Sequence, residues 1–293
     1  MSLEHASRLC RLSPPLMRPQ VFERDGANSS NGGTVRYDKG SLPMSLESLQ
    51  RDYPDHAGHR HFLITDVTRM SAGQVCVASI DLHTKKIARP LQWNHSNWPE
   101  TLVDEGLTPG RIVRQRIRKE QNPQGLPHET EDVQLTDNPQ ILGTFLGEPE
   151  LFAVLLPVVD PSVASIFGEA LVGHKFVPEH SRVRSLGRVR ADARSVTLYL
   201  DHDRPRIVFR DGQTDYDVPV TDLRVRTVSD AGAIEVVKRA IKTAASYGGA
   251  MIIGLGLARP WAGSSNDFSP RRCYLQANGL TFPFESGLAR RLG

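Results

Sequence analysis

Short apolar, β-branched runs recur along this chain between turn-like pieces, and residues 111–118 and 182–190 alternate between apolar and polar positions, as is typical of β-strands. The pattern predicts strands at residues 62–67, 74–80 and 86–88, separated by pieces of turn length. Residues 111–118 and 133–135 predict two more strands. Further strands are predicted at residues 182–190, 196–200, 207–209, 223–226, 251–258 and 271–280. These runs and alternating segments therefore favour a mainly β protein.

Two segments have a different period and predict helices. Residues 231–247 carry an apolar stripe at helical spacing, and Gly248-Gly249 ends the helix. Residues 138–156 predict a helix that is interrupted by Gly143 and Pro149. Residues 157–178 read as a β-like connection. Several strands, one late helix and closing strands are compatible with a small Greek-key barrel.

One short pattern occurs twice, as Ile87-Ala88-Arg89-Pro90-Leu91-Gln92-Trp93 and as Leu257-Ala258-Arg259-Pro260-Trp261. Each copy ends an apolar, β-branched run. We interpret the pair as one structural corner used twice, with proline stopping the strand. Duplication predicts two related β-rich modules, residues 61–180 and 181–293, after a poorly ordered segment at residues 1–60 that is rich in proline and in small polar residues.

Charge divides the two modules. Residues 1–60 carry 8 basic and 7 acidic side chains, residues 61–180 carry 10 and 15, and residues 181–293 carry 18 and 11. The middle third is therefore −5 and the last third is +7. A polyanion would prefer the basic module.

Arginine and aromatic residues suggest how such a polyanion would be held, because guanidinium groups neutralise phosphates and exposed rings stack on bases. Alternation over residues 182–190 would place Arg182, Arg184, Arg188 and Arg190 on one strand face as an arginine stripe. The predicted nucleic-acid contacts comprise this stripe together with Arg89, Trp93, Arg206, Arg210, Arg259, Trp261, Arg271, Arg272 and Tyr274.

Enzyme signatures are absent from the sequence. It has no Walker sequence, no nucleophile elbow and no paired-histidine zinc motif, and its three cysteines lack metal-ligand spacing. The Gly254-Leu255-Gly256 run lacks the third glycine of a dinucleotide loop, so we read it as a bend or a close backbone approach. We predict no catalytic residue, no metal ligand and no cofactor. The apolar runs are too short to span a membrane, and we expect a cytoplasmic protein.

Several strands resemble the dual OB domain family, bacterial proteins with tandem OB folds that are often linked to conflict or defence systems. The matching pieces are Gly73 to Ile80 with Arg89-Pro90, Leu255 to Trp261, and Cys273 to Pro283. The resemblance covers about residues 61–284. It implies two OB-like barrels and nucleic-acid binding.

Our first functional hypothesis is a non-enzymatic accessory protein that binds single-stranded DNA or RNA with little sequence preference. A second is a protein adaptor whose acidic module binds a partner enzyme. A third is a metal-dependent nuclease, since Asp66, Asp81 and Asp132 could supply carboxylates to Mg²⁺.

Overall fold

The structure is a computed structural model that describes residues 44–56, 58–92, 94, 96–118, 130–226 and 231–288. The predicted mainly β fold is confirmed. The strands are β1 His59–Arg69, β2 Gln74–Asp81, β3 Ile87–Leu91, β4 Trp98–Pro99, β5 Arg111–Arg116, β6 Asp132–Gln134, β7 Gln140–Phe145, β8 Phe176–Pro178, β9 Leu186–Asp192, β10 Thr197–Asp201, β11 Arg204–Asp211, β12 Thr214–Pro219, β13 Ala250–Leu257 and β14 Arg272–Thr281. The helices are α1 Leu46–Asp52, α2 Thr101–Asp104, α3 Glu148–Leu155, α4 Val163–Phe167, α5 Leu223–Arg226 and α6 Ala231–Ser246.

The first barrel is built from five strands. Its strands lie in the order β6-β3-β2-β1-β5, and β6 runs parallel to β3 while the other neighbours are antiparallel. An antiparallel bridge between Ile117 and Leu135 joins β5 to β6, which closes the barrel. Helix α2 follows the two-residue strand β4 and lies between the barrel strands β3 and β5 in the chain, and β7 extends the sheet beside β5.

The second barrel repeats this topology. Its first strand is split into β9 and β10 by a 3₁₀ turn at Ala193–Ser195. Strand β10 pairs with β11 and β11 with β12, while β9 pairs with β13 and β13 with β14. A parallel bridge between Val220 and Ala277 joins the end of β12 to β14. Both barrels therefore have a three-stranded meander, a helical connection and two closing strands. In each barrel the last strand of the meander is parallel to the last closing strand, β3 to β6 in the first and β12 to β14 in the second.

The barrels share hydrophobic cores. Leu223, from the second half of the chain, packs into the core inside the first barrel. Ile252 of β13 packs into a further core that contains Leu49 of α1 and Leu63 of β1. The two barrels therefore pack against each other and share core residues, and they are not separate domains joined by a linker.

The two Ala-Arg-Pro copies do not occupy equivalent places, so the single-corner interpretation is wrong. Arg89 and Pro90 lie within β3, the third strand of the first barrel, and the strand runs on to Leu91. Arg259 and Pro260 follow β13, the fourth strand of the second barrel. In the parallel pairing of β3 with β6, the backbone N–H of Arg89 donates to the carbonyl oxygen of Glu131. Proline is tolerated at the next position, Pro90, because that pairing does not use its N–H. Duplication is visible in the topology instead.

Three local predictions also differ from the structure. The helix predicted over residues 138–156 is instead strand β7 followed by helix α3. Pro149 lies in the first turn of α3, where a backbone N–H has no partner within the helix, so the proline fits at the start of the helix and does not interrupt it. The predicted β-like connection at residues 157–178 contains helix α4, whose Ser162 forms a capping box. Residues 223–226 form the helical turn α5, since the Asp222 carboxylate accepts the N–H of Arg224 at 3.0 Å.

The poorly ordered segment predicted at residues 1–60 lies outside the described residues as far as position 43. Beyond that the prediction is wrong, because Ser45 and Ser48 cap helix α1 with reciprocal bonds of 3.2 and 3.0 Å. Leu46 and Leu49 lie three residues apart and are both buried. Within the part of the chain that the structure describes, no helix is long and apolar enough to cross a membrane.

Candidate nucleic-acid interface

The connection between β13 and β14, residues 258–271, presents a cluster of aromatic side chains. It joins the two strands that follow the helix, which in OB folds is one of the loops that bind oligonucleotides. Trp261 and Arg272 face each other across its base, and each backbone N–H donates to the other's carbonyl oxygen at 3.0 Å. This pair of bonds fixes the backbone from which the Trp261 ring projects.

Trp261 is 49% exposed although two rings brace it. Its ring centroid lies 5.5 Å from that of Phe268 in an edge-to-face arrangement and 5.9 Å from that of Tyr274. The Arg272 guanidinium lies 3.4 Å from the Phe268 centroid and 4.6 Å from the Phe176 centroid. We call Trp261, Phe268, Arg272, Tyr274 and Phe176 the Trp261 patch. The patch combines the half-exposed Trp261 ring, which neighbouring rings hold in place, with the Arg272 guanidinium between the Phe268 and Phe176 rings.

Two further arginines flank the Trp261 patch. The Arg271 Nε donates to the Glu179 carboxylate at 2.8 Å, and this bond lowers the pKa of Glu179. Arg259 is exposed and forms no hydrogen bond or close ion pair with another described residue, although its charge acts on the Asp132 carboxyl and opposes the rise that burial causes in the pKa of that group. It therefore offers a positive charge that a phosphate could take without first breaking an ion pair.

The arginine stripe predicted at residues 182–190 does not form. Arg188 is 1% exposed, and Arg184 bonds to both oxygens of Asp160 at 2.6 and 3.3 Å. Arg182 is exposed but precedes β9 with a φ of 50°. Only Arg190 among the four is both exposed and within the strand. The stripe fails because the face that carries Arg188 is covered by the first barrel.

The remaining predicted residues are distributed over several places. Arg206 pairs with Asp217 at 2.9 Å and Arg210 with Asp215 at 2.7 Å, both on the β11–β12 hairpin. Arg89 is 7% exposed and donates to Asp132 at 2.7 Å and to Ser185 at 3.0 Å. Trp93 lies outside the described residues. The structure thus gathers Trp261, Arg272 and Tyr274 in one patch, with Arg271 and Arg259 beside it.

A buried ion pair between Asp66 and Arg188 joins the two barrels. A bulge in β1 directs both Thr65 and Asp66 toward Arg188, whose Nη2 donates to Thr65 at 2.8 Å and lies 3.5 Å from Asp66. Burial raises the pKa of Asp66, and the charge of Arg188 opposes that rise. Arg224 forms a second pair, bidentate to Asp222 at 3.0 and 2.7 Å. These arginines hold the fold together and are not available to a ligand outside it.

The carboxylates proposed for a nuclease are separated by their partners. Asp66 lies against Arg188, Asp81 pairs with Arg60 at 2.8 Å, and Asp132 pairs with Arg89. No group of three His, Cys, Asp or Glu side chains that could hold a metal ion occurs among the residues placed in the structure. The arrangement gives no support to metal-dependent cleavage at these positions.

The sequence pattern did not identify Phe268 and Phe176 as members of the site. Phe268 lies in an irregular loop, and Phe176 comes from β8, almost a hundred positions earlier. The alternation along β14 was a usable signal, because Arg272 and Tyr274 are half-buried on one face while Cys273 and Leu275 are buried on the other. The close approach predicted at the Gly254-Leu255-Gly256 run is present in the structure. The Asp66 side chain lies against Gly254, and the Asn278 side chain lies against Gly256.

Two successive five-stranded Greek-key barrels, each with a helical connection before its closing strands, define a tandem OB-type protein. The chain belongs to the dual OB-containing domain family, whose model matches residues 62–280. No curated protein sequence matches the chain.

Three solved structures match the chain at low sequence identity and low TM-score. The tetrameric p202 HIN2 is 8% identical, with a TM-score of 0.29, over 77% of this chain and 92% of that one. The Ifi202 HINa domain in complex with 20 bp double-stranded DNA is 9% identical, with a TM-score of 0.32, over 77% and 94%. A murine DNA-binding protein bound to double-stranded DNA is 7% identical, with a TM-score of 0.29, over 76% and 97%.

Proposed function

We propose that this protein binds nucleic acid, and that the Trp261 patch holds single-stranded DNA or RNA with little sequence preference. The observation that carries the proposal is the exposed Trp261 ring, braced by Phe268 and Tyr274 on the loop between the closing strands. Every base has a π-face, so stacking on such a ring is sequence-tolerant. A single strand leaves its bases free to stack, whereas a duplex does not.

Charge around the ring supports the same ligand. Arg259 has no ion-pair partner among the described residues, and Arg272 presents its guanidinium between two rings. Arginine contacts phosphate oxygens through its N–H groups, and the two rings hold the Arg272 guanidinium in place. The excess of basic residues over positions 181–293 adds long-range attraction for a polyanion.

The test is a salt series of fluorescence-anisotropy titrations with labelled single-stranded and duplex DNA and RNA. Affinity for single strands should fall steadily as salt rises, because counterions are released from the phosphates. Trp261→Ala should weaken binding by about 1–3 kcal/mol, the contribution of one stacked base. Tyr247→Ala is the matched control, since Tyr247 is 67% exposed at the end of α6 and lies outside the patch.

Two results would count against the proposal. One is a lack of salt-sensitive binding to every nucleic acid tested near physiological ionic strength. The other is an equal loss of affinity in Trp261→Ala and Tyr247→Ala, which would remove the patch as the binding surface. Preference for duplex over single strand would retain nucleic-acid binding and overturn its single-strand specificity.

We extend the proposal to an accessory, non-catalytic role in the cytoplasm of a bacterium, within a defence system, which the family resemblance implies. Such a protein would bring a partner enzyme to nucleic acid. Co-purification from the native host, with and without nuclease treatment, tests this role. If no product of a neighbouring gene co-purifies under either condition, the accessory role is contradicted.

A further inference from the structure

The outer face of β1 and β5 in the first barrel carries a group of basic side chains. The two strands are antiparallel, and their register pairs His61 with Arg114 and His59 with Arg116. Paired residues lie on the same face of a sheet, and so do residues two positions apart, so these four side chains share one face. We call these four residues the basic face. It belongs to the first and fourth strands of the barrel, not to the strands and loops with which OB folds bind oligonucleotides.

The basic face continues a buried region between the barrels. The next register pair on the same face is Leu63 with Ile112, and both side chains are fully buried in a core that includes Ile252 of β13. Arg114 and Arg116 are exposed. The face therefore passes from core to solvent between positions 112 and 116, and the packed sheet fixes the backbone from which both arginines project.

Ion pairs do not neutralise the two arginines. Arg114 donates to the uncharged amide oxygen of Gln140 at 2.5 Å, and the Arg116 side chain forms no hydrogen bond or ion pair with another described residue. The Asp137 carboxylate accepts the backbone N–H of Arg116 at 3.3 Å and pairs with neither guanidinium. Both positive charges are therefore open to a partner of opposite charge.

Gathering these groups on one face is electrostatically unfavourable. Burial lowers the pKa of His61, and the charges of Arg114 and His59 lower it further, against the opposing effect of Asp55. Like charges directly opposite each other in neighbouring strands destabilise a sheet. A polyanion that lies over the face offsets this repulsion.

The aromatic ring beside the basic face is not free to stack on a base. The Tyr53 ring packs against the His61 ring, with centroids 5.5 Å apart, and the Tyr53 hydroxyl bonds to that of Thr144. A nucleic acid on this face is therefore contacted through its phosphates. Phosphates are presented by duplexes as well as by single strands, and contacts to them carry no sequence information.

We propose that the basic face is a second nucleic-acid surface, on which Arg114 and Arg116 contact the phosphate backbone of duplexes as well as of single strands. Guanidinium groups suit this role, because their planar N–H donors match the geometry of phosphate oxygens. The inference goes beyond the proposed binding of single strands at the Trp261 patch, since it gives the first barrel its own contact with nucleic acid. It does not depend on base stacking at Trp261.

Duplex DNA is the probe, because its paired bases cannot stack on Trp261. Binding of a short labelled duplex to the full chain is measured by fluorescence anisotropy in a salt series. Arg114→Gln/Arg116→Gln should weaken binding by between about twofold and thirtyfold, the range that two exposed ion pairs give. The slope of log K against log salt should become shallower by about 1.8, because each phosphate contact contributes about 0.9 on a duplex.

Matched variants separate a local contact from net charge and from folding. Arg239→Gln/Lys242→Gln on α6 removes two charges at other exposed positions and should leave the slope unchanged. Arg114→Lys/Arg116→Lys keeps both charges and should keep the slope. Arg116→Gln alone breaks no hydrogen bond or ion pair between described residues and should give about half of the change in slope.

Three results would overturn the proposal. The first is a lack of salt-sensitive duplex binding by the wild-type protein. The second is an equal change of slope in the β5 and α6 double variants. The third is a loss of duplex affinity in Trp261→Ala as large as the loss in Arg114→Gln/Arg116→Gln. Because Trp261→Ala is expected to weaken single-strand binding and to spare duplex binding, failure of this surface is distinguishable from failure of the Trp261 patch.

Discussion

Asp66 of the first barrel lies directly over Gly279 of the second, where any side chain would overlap the carboxylate. Gly254, the register partner of both Gly279 and Arg188, is covered by the same carboxylate. Two adjacent glycines thus clear the space through which Asp66 approaches Arg188. The barrels are docked by close packing of backbone around a buried ion pair.

Gly279→Ala should destabilise the protein by about 3 kcal/mol, because the new Cβ atom displaces a buried carboxylate from its arginine partner. Urea unfolding followed by circular dichroism measures the loss. Gly143→Ala in β7 is the control, since a Cβ atom there meets nothing within 4 Å, and its change should stay within about 0.5 kcal/mol. Equal effects of the two substitutions would contradict the docking described above.

Leu49→Ala should lower the free energy of unfolding by about 2–5 kcal/mol, since Leu49 is 2% exposed in a core shared with β1 and β13. The change tests whether α1 belongs to the folded structure. Met44→Ala, just before the helix and 38% exposed, provides the comparison and should have little effect. A Leu49→Ala protein as stable as wild type in urea would mean that α1 does not contribute to the core.

Arg259→Gln should reduce the salt dependence of nucleic-acid binding. If Arg259 contacts one phosphate, the slope of log K against log salt becomes shallower by about 0.7 for a single strand. Arg239→Gln on α6 makes the same change in net charge at another exposed position. Identical slopes for the two variants would show that Arg259 acts only through net charge.

The ion pair between Glu179 and Arg271 should stabilise the protein at neutral pH and not in acid. Its hydrogen bond lowers the pKa of Glu179 in the folded state, so the folded protein binds fewer protons than the unfolded chain over that range. The stabilisation is therefore present above the ordinary value of 4.5 and disappears as the pH falls through the lowered pKa.

Urea unfolding of wild type and Glu179→Gln at a series of pH values measures this effect. The wild type should be slightly more stable than Glu179→Gln at neutral pH, since solvent screens the exposed Arg271 side chain, and the difference should vanish in acid. Glu169→Gln, at an exposed position that has no ion pair with another described residue, should show no such trend. A difference that grows in acid would reverse the assigned sign.

The sequence by itself determined the class of fold. Short apolar runs between turns, some of them alternating, predicted most strands, and the stripe and terminal glycines of α6 predicted the late helix, because these patterns follow from local geometry. Local patterns also placed Arg272 and Tyr274 on one face of β14. They could not reveal α1 or divide residues 138–156 correctly, since caps and strand partners decide those segments.

Only the tertiary structure decided which arginines face solvent. Period two assigns Arg188 and Arg190 to one face of β9, but whether that face is covered depends on the first barrel, more than a hundred positions away along the chain. The same holds for the Trp261 patch, where Phe176 and Phe268 join Arg272 through pairing of β8 and β14 and through the loop. A charge in the sequence becomes a binding group or a buried structural pair only when distant strands pack beside it.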